Sequence, residues 1–216
     1  MFIDHLGLVL SAGTPVEVWR TMRIVGRLAF PIFCFLLVEG FSHTRDVKKY
    51  LFRLGLFALI PEIPFDLVVF RRLWYTDYQN VFFTLFIGLL LLYLYNRFLA
   101  NTQPIYAVMA VVSMLCLAFL IRCDYGAEGV LMIYLFYFFR FRPLAMCIST
   151  GLLMAFMGGL EVYGIAALPL ILLYNGEKGG RRSKSRGGEL AQKYFFYCFY
   201  PVHLLLLAAL DYYLFR

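Results

Sequence analysis

Residues 27–52 of the chain read RLAFPIFCFLLVEGFSHTRDVKKYLF. This apolar run has the length of a membrane segment, and it carries Arg27 at one end and Glu39 and His43 at the other. A second apolar run follows, LIPEIPFDLVVF, and it contains two carboxylates. Ionisable side chains within membrane segments are costly and usually serve a function. The stretch therefore predicts a polytopic membrane protein whose polar interior is the place to look for a site.

The composition of the whole chain supports this interpretation. Of 216 residues, 62% are hydrophobic and 15% are charged, whereas a soluble domain is about half apolar. Apolar stretches of about 20 residues recur from end to end, and a stretch of this length can span a bilayer. We therefore expect a single integral membrane domain over residues 1–216 without a soluble domain. The five cysteines form neither a disulfide framework nor a metal-ligand spacing, so no metal is expected.

The hydrophobic pattern predicts an all-α helical bundle of about nine segments. They cover residues 1–12, 21–42, 46–70, 79–99, 104–121, 125–140, 143–158, 160–174 and 190–214. Several of them are short, so half-spans or steeply packed helices are expected among them.

Basic residues predict the orientation of this bundle. Thirteen of the 20 lysines and arginines follow even-numbered segments and seven follow odd-numbered ones, so the even loops are expected in the cytoplasm. The chain would then cross the bacterial cytoplasmic membrane with its N-terminus inside and its C-terminus outside. The segment NGEKGGRRSKSRGGE, residues 175–189, is predicted to be a flexible basic cytoplasmic loop that contacts anionic lipid. Because topology explains the charge, no nucleic-acid partner is expected.

Four pairs of polar residues stand four positions apart, where two residues share one face of a helix. Like charges at this spacing repel each other, so the arginine pair is expected to meet the acidic pair of the second apolar run. Such a network either fixes helix packing or lines a cavity that binds a substrate. The pairs are Arg23 with Arg27, Glu39 with His43, Glu62 with Asp66, and Asp124 with Glu128.

Two prolines, Pro61 and Pro64, flank Glu62. Each removes a backbone hydrogen bond one turn earlier, and irregular backbone at membrane depth is tolerated where it lines a cavity or is buried in protein. A broken helix is expected here, either as an ordinary packing kink or as part of a site.

Two of the three histidines, His5 and His203, lie in apolar context. Histidine is suited to gain and lose a proton near neutral pH, although a lone histidine can also be a satisfied core residue. Asp4 precedes His5 directly and points about 100° away on a helix, so a partner for His5 must come from another helix. His43 instead lies near a basic cluster formed by Arg45, Lys48 and Lys49. This cluster either binds anionic phosphates or simply faces the cytoplasm. Asp46 is expected to cap the helix that follows.

Several motifs together are similar to the TraX family of membrane proteins, and the resemblance covers nearly the whole chain. The founding members are conjugal-transfer proteins that acetylate the N-terminus of pilin. The resemblance implies a transmembrane acyltransferase-like bundle with a polar channel, acetyl-CoA as the donor from the cytoplasmic side, and an acceptor from the other side. The motifs are IDHLG, RIVGRLAFPIFCFLLVEGFSHTR, KKYLFRLGLFALIPEIPFDL, QNVFFTLFIGLL, DYGAEGVL and FYPVHLLLL.

The resemblance, together with the pattern of polar residues, predicts roles for individual residues. Catalysis would fall to His5, with His203 as the second candidate. Binding of acetyl-CoA would fall to Glu39, His43, Arg45, Lys48 and Lys49. A polar cluster that binds the acceptor or supports the fold would comprise Asp4, Arg27, Glu62, Asp66, Asn80 and Asp124, and Asn80 or Arg27 could donate to the oxyanion.

Composition and spacing alone leave other functions open. A small transporter uses broken helices and mid-membrane acids in the same way, and a non-catalytic scaffold of a pilus or secretion system would carry the same polar groups for assembly. The acceptor of an acyltransferase could be a peptide N-terminus, a small amine or a sugar.

Overall fold

A computed structural model describes residues 1–176 and 186–215. The all-α prediction is confirmed within these residues, since they form helices and a single isolated backbone bridge. Most of the predicted basic loop, residues 177–185, lies outside the described residues. The α-helices are α1 (Phe2–Val9), α2 (Val16–Arg27), α3 (Ala29–His43), α4 (Val47–Leu59), α5 (Glu62–Phe70), α6 (Val81–Ala100), α7 (Pro104–Ile121), α8 (Gly126–Phe138), α9 (Pro143–Met157), α10 (Leu168–Leu172) and α11 (Arg186–Phe215). Two 3₁₀-helices cover Leu10–Ala12 and Glu161–Ala167.

Proline explains why two predicted segments each form two helices. Pro31 cannot donate to the carbonyl of Arg27, and the helix is interrupted at Leu28, between α2 and α3. Pro61 lies in the break between α4 and α5, and Pro64 follows in the first turn of α5, as the sequence predicted. The predicted helix 160–174 instead begins as the 3₁₀-helix that leads into α10.

The described helices identify a multi-pass membrane protein. Four stretches are long and apolar enough to cross a bilayer: Val16–His43, Val81–Ala100, Pro104–Ile121 and Tyr197–Leu214. Large apolar side chains face outward along α7 and α9, and Leu120 and Phe156 are 75% and 82% exposed. Such surface is favourable in lipid, where water does not oppose it.

Helix α1 is short in the described residues. Its eight residues extend about 12 Å, whereas a hydrocarbon core is about 30 Å thick. The predicted orientation of the two termini stays a prediction. α1 packs along α2 and contacts α11, which brings the beginning of the chain against its last helix.

Helix α6 occupies the centre of the bundle, between α4, α7 and α8. Leu89, Leu91 and Leu92 are completely buried there. At one end, the loop before α6 and the turn before α8 are joined, because Asp124 donates its backbone N–H to the carbonyl of Gln79 at 2.8 Å. Asp124 therefore lies in a turn ahead of α8, and the prediction that it shares one helix face with Glu128 is wrong.

The contact between α1 and α2 can be tested at Gly26. A Cβ at this position would overlap the Cβ of Asp4 and lie 2.6 Å from its Oδ1. Gly26→Ala should therefore destabilise the protein by about 1–3 kcal/mol, the usual cost of overpacking, seen as a lower thermal midpoint in detergent. Gly151→Ala is the matched control, since its nearest neighbour would be Leu168 Cδ1 at 3.6 Å. Equal midpoints for the two variants would contradict the close packing of α1.

Candidate functional site

The two apolar-context histidines, His5 and His203, meet in the structure although 198 residues separate them in the chain. Nε2 of His203 lies 3.3 Å from Nδ1 of His5. α1 and α11 present the two rings, which are 9% and 3% exposed. The partner that His5 was expected to need from another helix is therefore His203.

An ion cluster lies directly beside this pair. Asp4 forms ion pairs with Arg27 and, at 3.0 Å, with Arg23. The guanidinium of Arg27 also donates to Glu161 at 2.7 Å and to the hydroxyl of Tyr125 at 3.1 Å. One arginine thus connects α1, the turn before α8 and the second 3₁₀-helix.

The ion cluster corrects a prediction, because the two arginines do not meet Glu62 and Asp66. The i,i+4 rule shows which residues share a face, but it does not show which helices are neighbours. Asp4 reaches Arg23 and Arg27 because α1 packs on α2. Glu161 was missed as a partner, although a carboxylate inside an apolar segment was the signal that could have identified it.

The residues Glu62, Asp66 and Asn80 form a separate group that supports the backbone. Asn80 is completely buried. Its side-chain oxygen accepts a hydrogen bond from the backbone N–H of Phe82 at 2.9 Å and so caps α6. Its side-chain nitrogen donates to the carboxylate of Glu62 and to the backbone carbonyl of Ala58. Asp66 accepts the backbone N–H of Tyr75 at 2.7 Å. These bonds fix the α4–α5 break and the loop before α6. With both amide partners taken, Asn80 is not available as an oxyanion donor.

A cavity of about 640 Å³ adjoins the histidine pair and the ion cluster. Its volume lies within the range of small-molecule sites, about 300–1,000 Å³. Of the predicted site residues, His5, Asp4, Arg27 and Asp124 line it, whereas Glu62, Asp66 and Asn80 do not. The other polar side chains that line it are Arg23, Tyr78, Arg122, Cys123, Tyr125, Glu128 and Glu161.

Asp124 is held in the cavity wall by Tyr78, whose hydroxyl donates to its carboxylate at 2.8 Å. Burial raises the pKa of Asp124 to about 6, while the hydrogen bond from Tyr78 opposes the shift. Sequence reasoning missed Tyr78, because the contact depends on two loops that are far apart in the chain. The cavity therefore contains a carboxyl group that changes its charge near neutral pH.

The predicted coenzyme-binding residues lie elsewhere. Glu39, His43, Arg45, Lys48 and Lys49 belong to the end of α3 and the start of α4, and none of them lines the cavity. Arg27 precedes α3 and His43 is its last residue, so the 15 residues of α3 separate the two sites by about 22 Å.

At the start of α4, the expected helix cap at Asp46 is confirmed. Asp46 accepts the backbone N–H of Lys49 at 3.0 Å, and this bond lowers the pKa of the Asp46 carboxyl. Lys49 also forms an ion pair with Asp46, while its own side chain is mostly exposed.

Arg27→Ala should strongly destabilise the protein. The substitution leaves Asp4 and Glu161 without their main partner, and removal of one member of a buried ion pair costs about 3–5 kcal/mol. Thermal unfolding in detergent measures the effect. Lys49→Ala, which breaks an exposed ion pair, is the control and should leave the midpoint nearly unchanged. Similar midpoints for both variants would show that the ion cluster does not hold the elements together.

Asp124→Asn should change how stability depends on pH. Because the pKa of Asp124 is raised on folding, the folded state favours the protonated carboxyl, and its stability falls as pH rises through about 6. Asparagine does not titrate in this range. The thermal midpoint of Asp124→Asn minus that of wild type should therefore increase between about pH 5 and about pH 7.5.

Asp46→Asn is the control for this pH series. The pKa of Asp46 is lowered, so its carboxyl stays ionised throughout the window and its difference from wild type should be constant. A constant difference for Asp124→Asn as well would contradict the raised pKa of Asp124.

Comparison with known proteins agrees with this architecture. The family model described as "TraX protein" matches residues 1–211. A protein of Dichelobacter nodosus described as "Probable fimbrial assembly protein FimC, serogroup H1" is 33% identical over 239 aligned positions, which cover 97% of this chain and 90% of that protein. No solved structure matches the chain. Because the family match extends over nearly the whole sequence, the chain belongs to the TraX family.

Proposed function

We propose that the protein is a membrane-embedded acyltransferase, which moves an acetyl group from acetyl-CoA to an amine or hydroxyl of an acceptor at or across the bacterial cytoplasmic membrane. The observation that carries the proposal is the buried histidine pair beside a polar cavity in a membrane domain. The name of the Dichelobacter relative adds support for a role in fimbrial or pilus assembly.

The chemistry requires a base at the cavity wall. His5 would remove a proton from the acceptor as its nitrogen or oxygen attacks the thioester carbonyl. Collapse of the tetrahedral intermediate breaks the carbon–sulfur bond, and the proton held by His5 passes to the departing thiolate of coenzyme A. The acceptor gains the acetyl group, and His5 returns to its neutral form.

The donor is expected to bind at the opposite end of α3. Arg45, Lys48 and Lys49 would pair with the phosphates of coenzyme A, while the thioester extends along the bundle toward the histidines. The acceptor would enter the cavity, where Asp124 supplies negative charge for an acceptor ammonium.

The test is release of free thiol from acetyl-CoA by purified protein in detergent, measured with and without acceptors of three kinds: a peptide with a free N-terminus, a small amine and a sugar. A general base contributes about 10²–10⁴-fold, so His5→Ala should lower the rate by that factor while its thermal midpoint stays close to wild type. Phe156→Ala, on the lipid-facing surface, is the control and should keep the wild-type rate.

Two results would overturn the proposal. One is full activity in the double variant His5→Ala, His203→Ala. The other is the absence of thiol release with every acceptor, together with no effect of acetyl-CoA on the thermal midpoint. In that second case, substrate uptake into liposomes without a covalent product would favour a transporter.

A further inference from the structure

The hydrogen bonds of His203 define which of its ring nitrogens carries hydrogen. Its Nδ1 lies 2.8 Å from the backbone carbonyl oxygen of Phe199, one turn earlier in α11. A carbonyl oxygen only accepts hydrogen bonds, so Nδ1 must be the donor. A neutral imidazole has one N–H, which leaves Nε2 of His203 with a free lone pair.

The same reasoning then applies to His5. Nε2 of His203 faces Nδ1 of His5 at 3.3 Å, and one of the two nitrogens must supply the hydrogen between them. Since the nitrogen of His203 is an acceptor, Nδ1 of His5 is the donor. The remaining nitrogen of His5, Nε2, is therefore unprotonated in the neutral pair.

We propose that Phe199 and His203 form a hydrogen-bond relay that holds His5 in the Nδ1–H tautomer, so that Nε2 of His5 is the base and His203 is a positioning residue. This inference rests on the proposed function for the chemistry at His5, but the tautomer itself follows from the contacts alone. Of the two histidines, His5 is the one that lines the cavity, which agrees with this division of roles.

The surroundings of His5 explain why a second histidine, and not a carboxylate, orients its ring. In many hydrolases a carboxylate orients the catalytic imidazole, and Asp4 is the adjacent carboxylate here. Asp4 precedes His5 on the same helix and points about 100° away from it, and its carboxylate contacts Arg23 and Arg27 instead. Aromatic rings hold His203 in place. The ring of Phe199 stacks on its imidazole with 5.0 Å between the ring centroids, and the ring of Tyr200 meets it edge-on with 5.4 Å between the centroids.

The hydrogen bond from His5 to His203 can form in both protonation states of His5. When Nε2 takes a proton from the acceptor, the Nδ1–H of the resulting imidazolium still donates to His203. Hydrogen bonds from charged donors are stronger than those between neutral groups. The relay would therefore stabilise the charged intermediate without any change of partner.

The tautomers can be measured without reference to activity. The chain has three histidines, so protein labelled with ¹⁵N-histidine gives six ring-nitrogen signals, which His5→Gln, His43→Gln and His203→Gln assign. We expect protonated Nδ1 and unprotonated Nε2 in both His5 and His203 at neutral pH. A protonated Nε2 in either residue would overturn the relay, whatever the activity of the protein.

Kinetics of three variants then separate positioning from chemistry. Glutamine at position 203 places an amide oxygen where Nε2 was, and it can accept the hydrogen bond from His5. His203→Ala should lower kcat by about 10²-fold or more with little change in KM for acetyl-CoA, as expected when a base loses its orienting partner. His203→Gln should recover most of this loss, whereas His5→Gln should be inactive.

Two kinetic outcomes contradict the assignment. His203→Gln as slow as His203→Ala, at equal thermal midpoints, would show that His203 does not act as an acceptor. Activity in His5→Gln but not in His203→Gln would reverse the two roles. If wild type itself transfers no acetyl group, the proposed function fails, and the NMR result still decides whether the relay exists.

Discussion

The structure depends on the position of Arg27, a buried cation that contacts three parts of the chain which are far apart in sequence. Its guanidinium binds Asp4 of α1, Tyr125 of the turn before α8, and Glu161 of the 3₁₀-helix. A buried charge is stable only when it is paired and hydrogen-bonded. Because Asp4 and His5 are consecutive, the arrangement that satisfies Arg27 also fixes the histidine at the cavity.

The polar interior thus divides into groups with different tasks. The cluster around Arg27 holds α1 and the loops, the group around Asn80 supports the break between α4 and α5, and the histidine pair lies at the cavity. Each carboxylate of the first two groups has a partner that explains its presence in a membrane protein. Within the described residues, the two histidines contact each other, a backbone carbonyl and aromatic rings, and these contacts join only α1 and α11. This contrast is the main physical reason to assign function to the pair.

Local rules predicted much of this from sequence, and their failures share one cause. The apolar segments, the proline breaks, the cap at Asp46 and the need of His5 for a distant partner all follow from interactions within a few residues or within one helix. The wrong partner for the arginines, and the missed roles of Tyr78, Tyr125 and Glu161, concern which elements are neighbours. Periodicity gives the faces of a helix but not the order in which helices pack, and the joined loops at Gln79 and Asp124 carry no periodic signal.

The meeting of α1 with α11 has a consequence for the biogenesis of the protein. His5 leaves the ribosome well before His203, its hydrogen-bond partner, which follows 198 residues later. Until α11 packs against α1, the emerging chain contains one wall of the cavity but lacks the second ring of the histidine pair. The pair is therefore completed only when the end of the chain has been made and inserted, and partly made copies in the membrane would lack it.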